Sequence, residues 1–137
     1  RSVLEDSRGR LWIGNNSLGV LLIDGGATID FSTKMGLVAP GSQRSGGPSP
    51  AGTLEHVFAI EEDRFGNIWF GDRDTGAWKY DGKTMSNYSD DAGLPTRSVW
   101  DIYRDKEGEL LFALDNGAVY QFDGKRFSRF PLTTSSY

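Results

Sequence analysis

The chain has 137 residues, with 15 lysines and arginines against 19 aspartates and glutamates, for a formal net charge of −4. That length suits one domain of ~100–200 residues, and the acidic balance excludes a nucleic-acid surface, which needs a basic stripe to release counterions. There is no cysteine, so disulfides, thiolate metal sites and cysteine nucleophiles are excluded too.

Glycine, at 18 residues, is nearly twice its usual ~7% share, and aromatic residues make up 12%. Such a composition predicts many short strands joined by tight turns. No apolar run approaches the ~20 residues of a membrane span, so no direct membrane insertion is expected. The opening Arg1-Ser2-Val3-Leu4 has neither an initiator methionine nor the apolar core of a signal peptide, and the chain is expected to be a processed product or an excised piece.

In chain order, Arg1–Asp6 reads as the remnant of a first strand, followed by a turn at Asp6–Gly9. Leu11–Gly14 and Val20–Ile23 are then apolar strands, the second ending at the turn Asp24-Gly25. Residues 1–37 form this first unit. Residues 38–53 are rich in Gly, Ser and Pro and read as an inserted loop, of which Pro40–Gly52 is expected to be mobile and removable because it offers nothing to a core. In residues 54–95 the strands are predicted at Val57–Glu62, Asn67–Gly71, Ala77–Tyr80 and Lys83–Tyr88. Turns are set by Asp63–Gly66 and Asp81-Gly82, since Asp bonds its own backbone and Gly accepts a positive φ. Residues 96–137 repeat the pattern and run just past a fourth strand at Phe130-Pro131.

The units are copies. Fifty-seven residues separate Asp6 from Asp63, Asp24 from Asp81 and Gly36 from Gly93; 42 separate Asp63 from Asp105 and Asp81 from Asp123. The excess lies between Leu37 and Val57, in the inserted loop. Runs such as Ile68-Trp69-Phe70 and Val20-Leu21-Leu22-Ile23 are apolar at successive positions, as in strands covered on both faces. A four-stranded repeat of ~40–50 residues covered on both faces is a propeller blade. The fold class is therefore all-β, a β-propeller of about three four-stranded blades. Closed rings have ~4–8 blades, so the expectation is a partial propeller, or half of a six-bladed ring assembled from two chains. Leu11, Leu21 and Ile23 at one end, with Val119, Tyr120 and Phe122 at the other, are expected on open faces that pair with a second copy or with the remaining blades of a longer chain.

The middle repeat carries Val57, Ile60, Asp63, Gly66, Asn67, Ile68, Trp69, Phe70, Gly71, Gly76, Tyr80, Asp81, Gly82, Tyr88, Gly93, Leu94 and Pro95 at its motif positions. It resembles the two-component regulator propeller repeat. The first repeat departs at Val38, where proline is usual, and the third at Leu111 and Ala113, where Trp and Gly are usual. The resemblance implies the periplasmic or extracellular input part of a bacterial two-component sensor, often a glycan sensor.

The Asp–Gly turns recur in every blade on one rim and read as structural, as do Trp12 and Trp69 in the core. The opposite rim carries what varies, and variable loops on a fixed scaffold are where specificity resides. The candidate ligand-binding residues there are Asn16, Asp72, Arg73, Asp74, Arg97, Trp100, Asp115 and Asn116, with Trp78 or Trp100 as a stacking platform. Arg44, in the insertion, lies on the same rim.

Catalytic readings are weak. His56, the one histidine, has no second His for zinc and no Gly-x-Ser-x-Gly elbow. Asp72-x-Asp74-x-Gly76 is half a calcium loop, with Lys83 where the bidentate Glu belongs. No metal, cofactor or catalytic residue is assigned. The expected function is a non-catalytic ligand-binding or sensing module with an oligosaccharide as the preferred ligand. The alternatives are a protein-interaction scaffold without a small ligand and, more distantly, a fragment of a propeller lyase or hydrolase.

Overall fold

The computed structural model describes residues 2–42 and 47–131. Arg44 and the tail Leu132–Tyr137 lie outside the described residues. The first sheet is a meander of β1 (Ser2–Glu5), β2 (Leu11–Asn15), β3 (Gly19–Asp24) and β4 (Ala27–Asp30). A one-turn helix, α1 (Phe31–Lys34), follows, its Thr33 N–H bonded to the Asp30 carboxylate at 3.2 Å. The second sheet holds β5 (Val57–Glu62), β6 (Ile68–Asp72), β7 (Gly76–Tyr80) and β8 (Met85–Tyr88). The third holds β9 (Val99–Arg104), β10 (Leu110–Leu114), β11 (Val119–Phe122) and β12 (Phe127–Arg129). All pairings are antiparallel between sequence neighbours. This is a partial β-propeller of three blades. The fourth strand of the middle blade starts at Met85 rather than Lys83, because the Asp81 carboxylate takes the N–H groups of both Lys83 and Thr84 at 2.8 Å and turns the chain there.

The repeated Asp is a latch. In the middle blade, Asp63 Oδ1 accepts the N–H groups of Phe65 and Asn67, while Oδ2 accepts the Asn67 amide and the Trp69 indole N–H, all at 2.9 Å. Asp6 does the same for Arg8, Arg10 and Trp12. The spacing from Asp to Trp is thus the reach of one carboxylate around a turn into the next strand. Desolvation alone would push the Asp6 carboxyl up, but the Trp12 indole and the Arg8 and Arg10 donors hold it below its ordinary value. In the third blade, Asp105 keeps the two backbone bonds, to Glu107 and Glu109, and Leu111 offers no indole.

Two cores lie between the blades. Trp12, Val20 and Leu22 of blade 1 pack on Ile60, Ile68, Phe70 and Trp78 of blade 2. Ala59, Trp69 and Ala77 on the other side of blade 2 pack on Ile102, Leu110, Phe112 and Leu114 of blade 3. Each Trp carries an aromatic from the end of its own blade, Phe31 edge-on at 4.9 Å from Trp12 and Tyr88 stacked at 5.5 Å on Trp69. Glycine sets the closeness of approach: a Cβ on Gly14 would lie 2.9 Å from Val57 Cγ1, and one on Gly71 2.7 Å from Val99 Cγ1.

Strand alternation then fixes the open faces. Val3, Leu11, Ile13, Leu21 and Ile23 point away from blade 2, and Val3 is 69% exposed. On blade 3 the expectation needs correcting. Val119 points outward with Tyr103 and Leu111, but Tyr120 and Phe122 turn inward against blade 2, with Phe122 5.0 Å from Trp69.

The insertion is also tied down at its described ends, contrary to the expectation that nothing there anchors it. Glu55 accepts Ala39 N–H at 3.1 Å and the Ser42 hydroxyl at 3.0 Å. Ser49 is buried, with its N–H on Asp74 at 2.8 Å. The anchors are polar, which is why a Gly/Ser/Pro composition conceals them.

Candidate functional site

The connectors between blades and the loops following β2, β6 and β10 share one rim, bound to each other by backbone bonds such as Gly19 N–H to Glu55 O at 3.0 Å, Arg73 N–H to His56 O at 2.9 Å and Asp115 N–H to Ser98 O at 3.1 Å. The candidate residues divide sharply there. Asp72, at the end of β6, is 0% exposed. Its Oδ1 accepts Asp74 and Thr75 N–H at 2.7 and 3.1 Å, and its Oδ2 accepts Glu55 and His56 N–H, both at 3.1 Å. Burial pushes this carboxyl up, against those backbone donors. Asp72 staples the inter-blade connector to the β6–β7 loop, so its place as a ligand contact is corrected: no lone pair faces the solvent rim.

Arg73 and Asp74 are half-buried and paired at 3.0 Å. Arg73 also reaches Gly47 O at 2.8 Å. Desolvation works against the charge on Asp74, yet the Arg73 guanidinium and the Ser49 N–H hold its carboxyl below the ordinary value. Both side chains serve the insertion. Arg97 pairs with Asp90 at 3.0 Å on the surface. Trp78 lies in the core with its indole N–H on Thr75 Oγ1 at 2.9 Å, and is no platform for a ligand. Trp100 is the open aromatic, 54% exposed, its indole N–H on Ser98 Oγ at 3.0 Å. Asp115, Asn116 and Asn16 are exposed at loop tips, and Asn116 Oδ1 accepts Ala118 N–H at 2.9 Å. The rim thus keeps Trp100, Asp115, Asn116, Arg97 and Asn16 accessible, mostly on blade 3.

One polar pair escaped the sequence reading. Ser49 Oγ lies 2.7 Å from His56 Nδ1, with His56 only 1% exposed. This serine comes from the insertion, and no spacing rule pairs it with His56. The pair is buried beneath the insertion and helps seat it.

The sequence model for the two component regulator propeller matches residues 1–17 and 52–74. These two stretches are two component regulator propeller repeats. Each spans the first strand of a blade, the Asp latch and the second strand, which is the local structure described above. Among solved structures, the fold is similar to the extracellular domain of a protein assigned as a hybrid two component system from B. thetaiotaomicron. The TM-score is 0.69 at 23% identity, over 96% of this chain and 17% of that one. It is also similar to virginiamycin B lyase from Staphylococcus aureus, with a TM-score of 0.65 at 17% identity, over 96% of this chain and 41% of the lyase. The chain therefore spans well under half the length of either structure. At these identities the likeness is one of fold. No curated protein matches the sequence.

Proposed function

We propose that the chain is a ligand-binding segment of a sensory propeller, the periplasmic or extracellular input part of a two-component sensor, and that it performs no catalysis. The observation that supports this reading is the pair of regulator propeller repeats at residues 1–17 and 52–74, set in the same fold as an extracellular two-component domain. The likeness to a lyase extends to the scaffold, and function resides in sites grafted on a scaffold. An oligosaccharide is the preferred ligand, because accessible aromatic and polar side chains stand together on a fixed frame. Labelled protein on a glycan array is expected to light up one structural class of glycan. A blank array refutes the glycan ligand.

The open apolar face of blade 1 favours a second reading, a surface that docks another blade. Its Val3, Leu11, Ile13, Leu21 and Ile23 occupy the positions that Ile60, Ile68, Phe70, Trp78 and Tyr80 hold on blade 2, where they are covered. At ~25 cal/mol per Å², leaving such a face wet is costly. Sedimentation at tens of micromolar is then expected to show twice the chain mass of 15.1 kDa, and a single species at the chain mass refutes self-association.

A further inference from the structure

The rim opposite the variable loops holds a cleft of about 660 Å³ between blades 2 and 3. We propose that this cleft, with the exposed Phe65 ring at its mouth, is a binding site for a neutral polyhydroxylated ring such as a pyranose. The inference rests on the ligand-binding reading above and moves the contact to the other rim.

Comparison of the two blade boundaries carries the argument. Between blades 1 and 2 the crevice is sealed: Ser7 donates its N–H to Glu62 Oε1 at 2.8 Å and its hydroxyl to Oε2 at 2.6 Å. At the next boundary the same two positions are Arg64 and Arg104, which cannot pair with each other; each reaches across singly, Arg104 to Asp63 O at 3.3 Å and Arg64 to Glu109 at 3.7 Å, and a crevice remains beside them. Leu22, opposite Trp12 in the first blade, becomes Lys79 opposite Trp69 in the second. The Lys79 ammonium stands 5.8 Å from the Trp69 ring and makes no hydrogen bond or ion pair among the described residues, so its donors remain for a ligand.

The position of Arg8 becomes Phe65, 76% exposed at the tip of a turn. The Arg64 guanidinium lies over this ring at 5.0 Å from its centroid, and the rest of the ring, held in water on a turn, presents apolar surface suited to the C–H face of a sugar. The formal charges lining the cleft nearly cancel, Arg64 and Lys79 against Asp63, Glu109 and Asp123. All three carboxylates are already engaged, Asp63 by its latch, Glu109 by Arg64 at 3.7 Å and Asp123 by the N–H groups of Lys125 and Arg126 at 2.9 and 2.8 Å. A neutral ligand fits this balance better than an anion, which the carboxylates would repel.

The four tryptophans give a direct test, since each indole N–H yields its own resonance in a ¹H–¹⁵N spectrum. Titration with neutral tetrasaccharides of glucose, xylose and mannose, up to about 10 mM, is expected to shift the Trp69 indole signal. Phe65→Ala is expected to weaken that binding by roughly tenfold or more, with the fold checked by the undisturbed Trp12 signal. A shift confined to Trp100 overturns the site and leaves the sensing reading intact. Binding of tetragalacturonate alone overturns the neutral class. If the glycan array gives a ligand and that ligand leaves Trp69 unmoved, this inference fails by itself; silence of both array and spectrum removes the glycan reading as well.

Discussion

Gly71→Ala tests the closeness of blade packing most directly. The added methyl carbon would sit 2.7 Å from Val99 Cγ1, 3.1 Å from Val99 Cβ and 3.2 Å from its carbonyl oxygen. Both sides are constrained, because Gly71 pairs with Ala59 and Ala77 in the middle of its sheet while Val99 is fully buried at the start of β9. The backbone at Gly71 is ordinary strand, so alanine itself recovers about 0.4–1 kcal/mol of unfolded-chain entropy. Overpacking a tight core costs about 1–3 kcal/mol, and the clash prevails. A net loss of about 1–2 kcal/mol is expected in urea denaturation. Val99→Ala alone is expected to lose about 1.5–3 kcal/mol by emptying the same space. The double variant is the decisive one: the new methyl occupies what the valine vacates, so its loss should fall short of the sum by 1 kcal/mol or more. Strict additivity, or an unchanged single variant, would refute the claim that this contact sets the blade spacing.

Asp72→Ala is expected to destabilise by about 2–4 kcal/mol, since it strands buried N–H donors at about 1–3 kcal/mol each while relieving a costly buried charge; a denaturation midpoint equal to wild type would show the staple to be idle. The pH dependence has a sign. The folded-state pKa of Asp6 lies below its ordinary 3.8, so its contribution is complete above that value and is lost as pH falls through the folded pKa. Asp6→Asn is therefore expected to flatten the acid limb of a stability–pH curve below about pH 4, and an unchanged limb would count against the latch.

Much of the fold was legible. The Asp–Gly turns report interactions within one hairpin, the double-faced apolar runs report a neighbour on each side, and the repeat offsets mark where one blade gives way to the next, so strands and blades follow from them. Alternation assigns Tyr120 and Phe122 to one face of β11 but does not say which side of the blade that face meets; only the neighbouring Trp69 decides it. The candidate site was less legible. Asp72 in an Asp-x-Asp-x-Gly loop looks like a solvated charge, yet two of its four donors come from Glu55 and His56, 17 and 16 residues earlier. Ser49 and Glu55 anchor the insertion through hydrogen bonds that leave no hydrophobic signature. The cleft at Phe65 was hidden because its turn repeats in every blade; what differs is the pair facing it across the boundary.

The carboxylate latch also bears on the order in which the blades assemble. Asp6 and Asp63 each fasten a turn to an indole six residues on, a contact whose loop-closure cost is small and which needs no neighbouring blade. Blades 1 and 2 thus carry their own nucleus. Blade 3, with Leu111 in place of the indole, holds no such fastening and takes its order from the finished surface of blade 2, where Trp69 receives Phe112, Phe122 and Phe127. Blade 3 is therefore expected to consolidate last, on the surface that blade 2 provides, and amide exchange as slow in β10 as in β6 would refute that order.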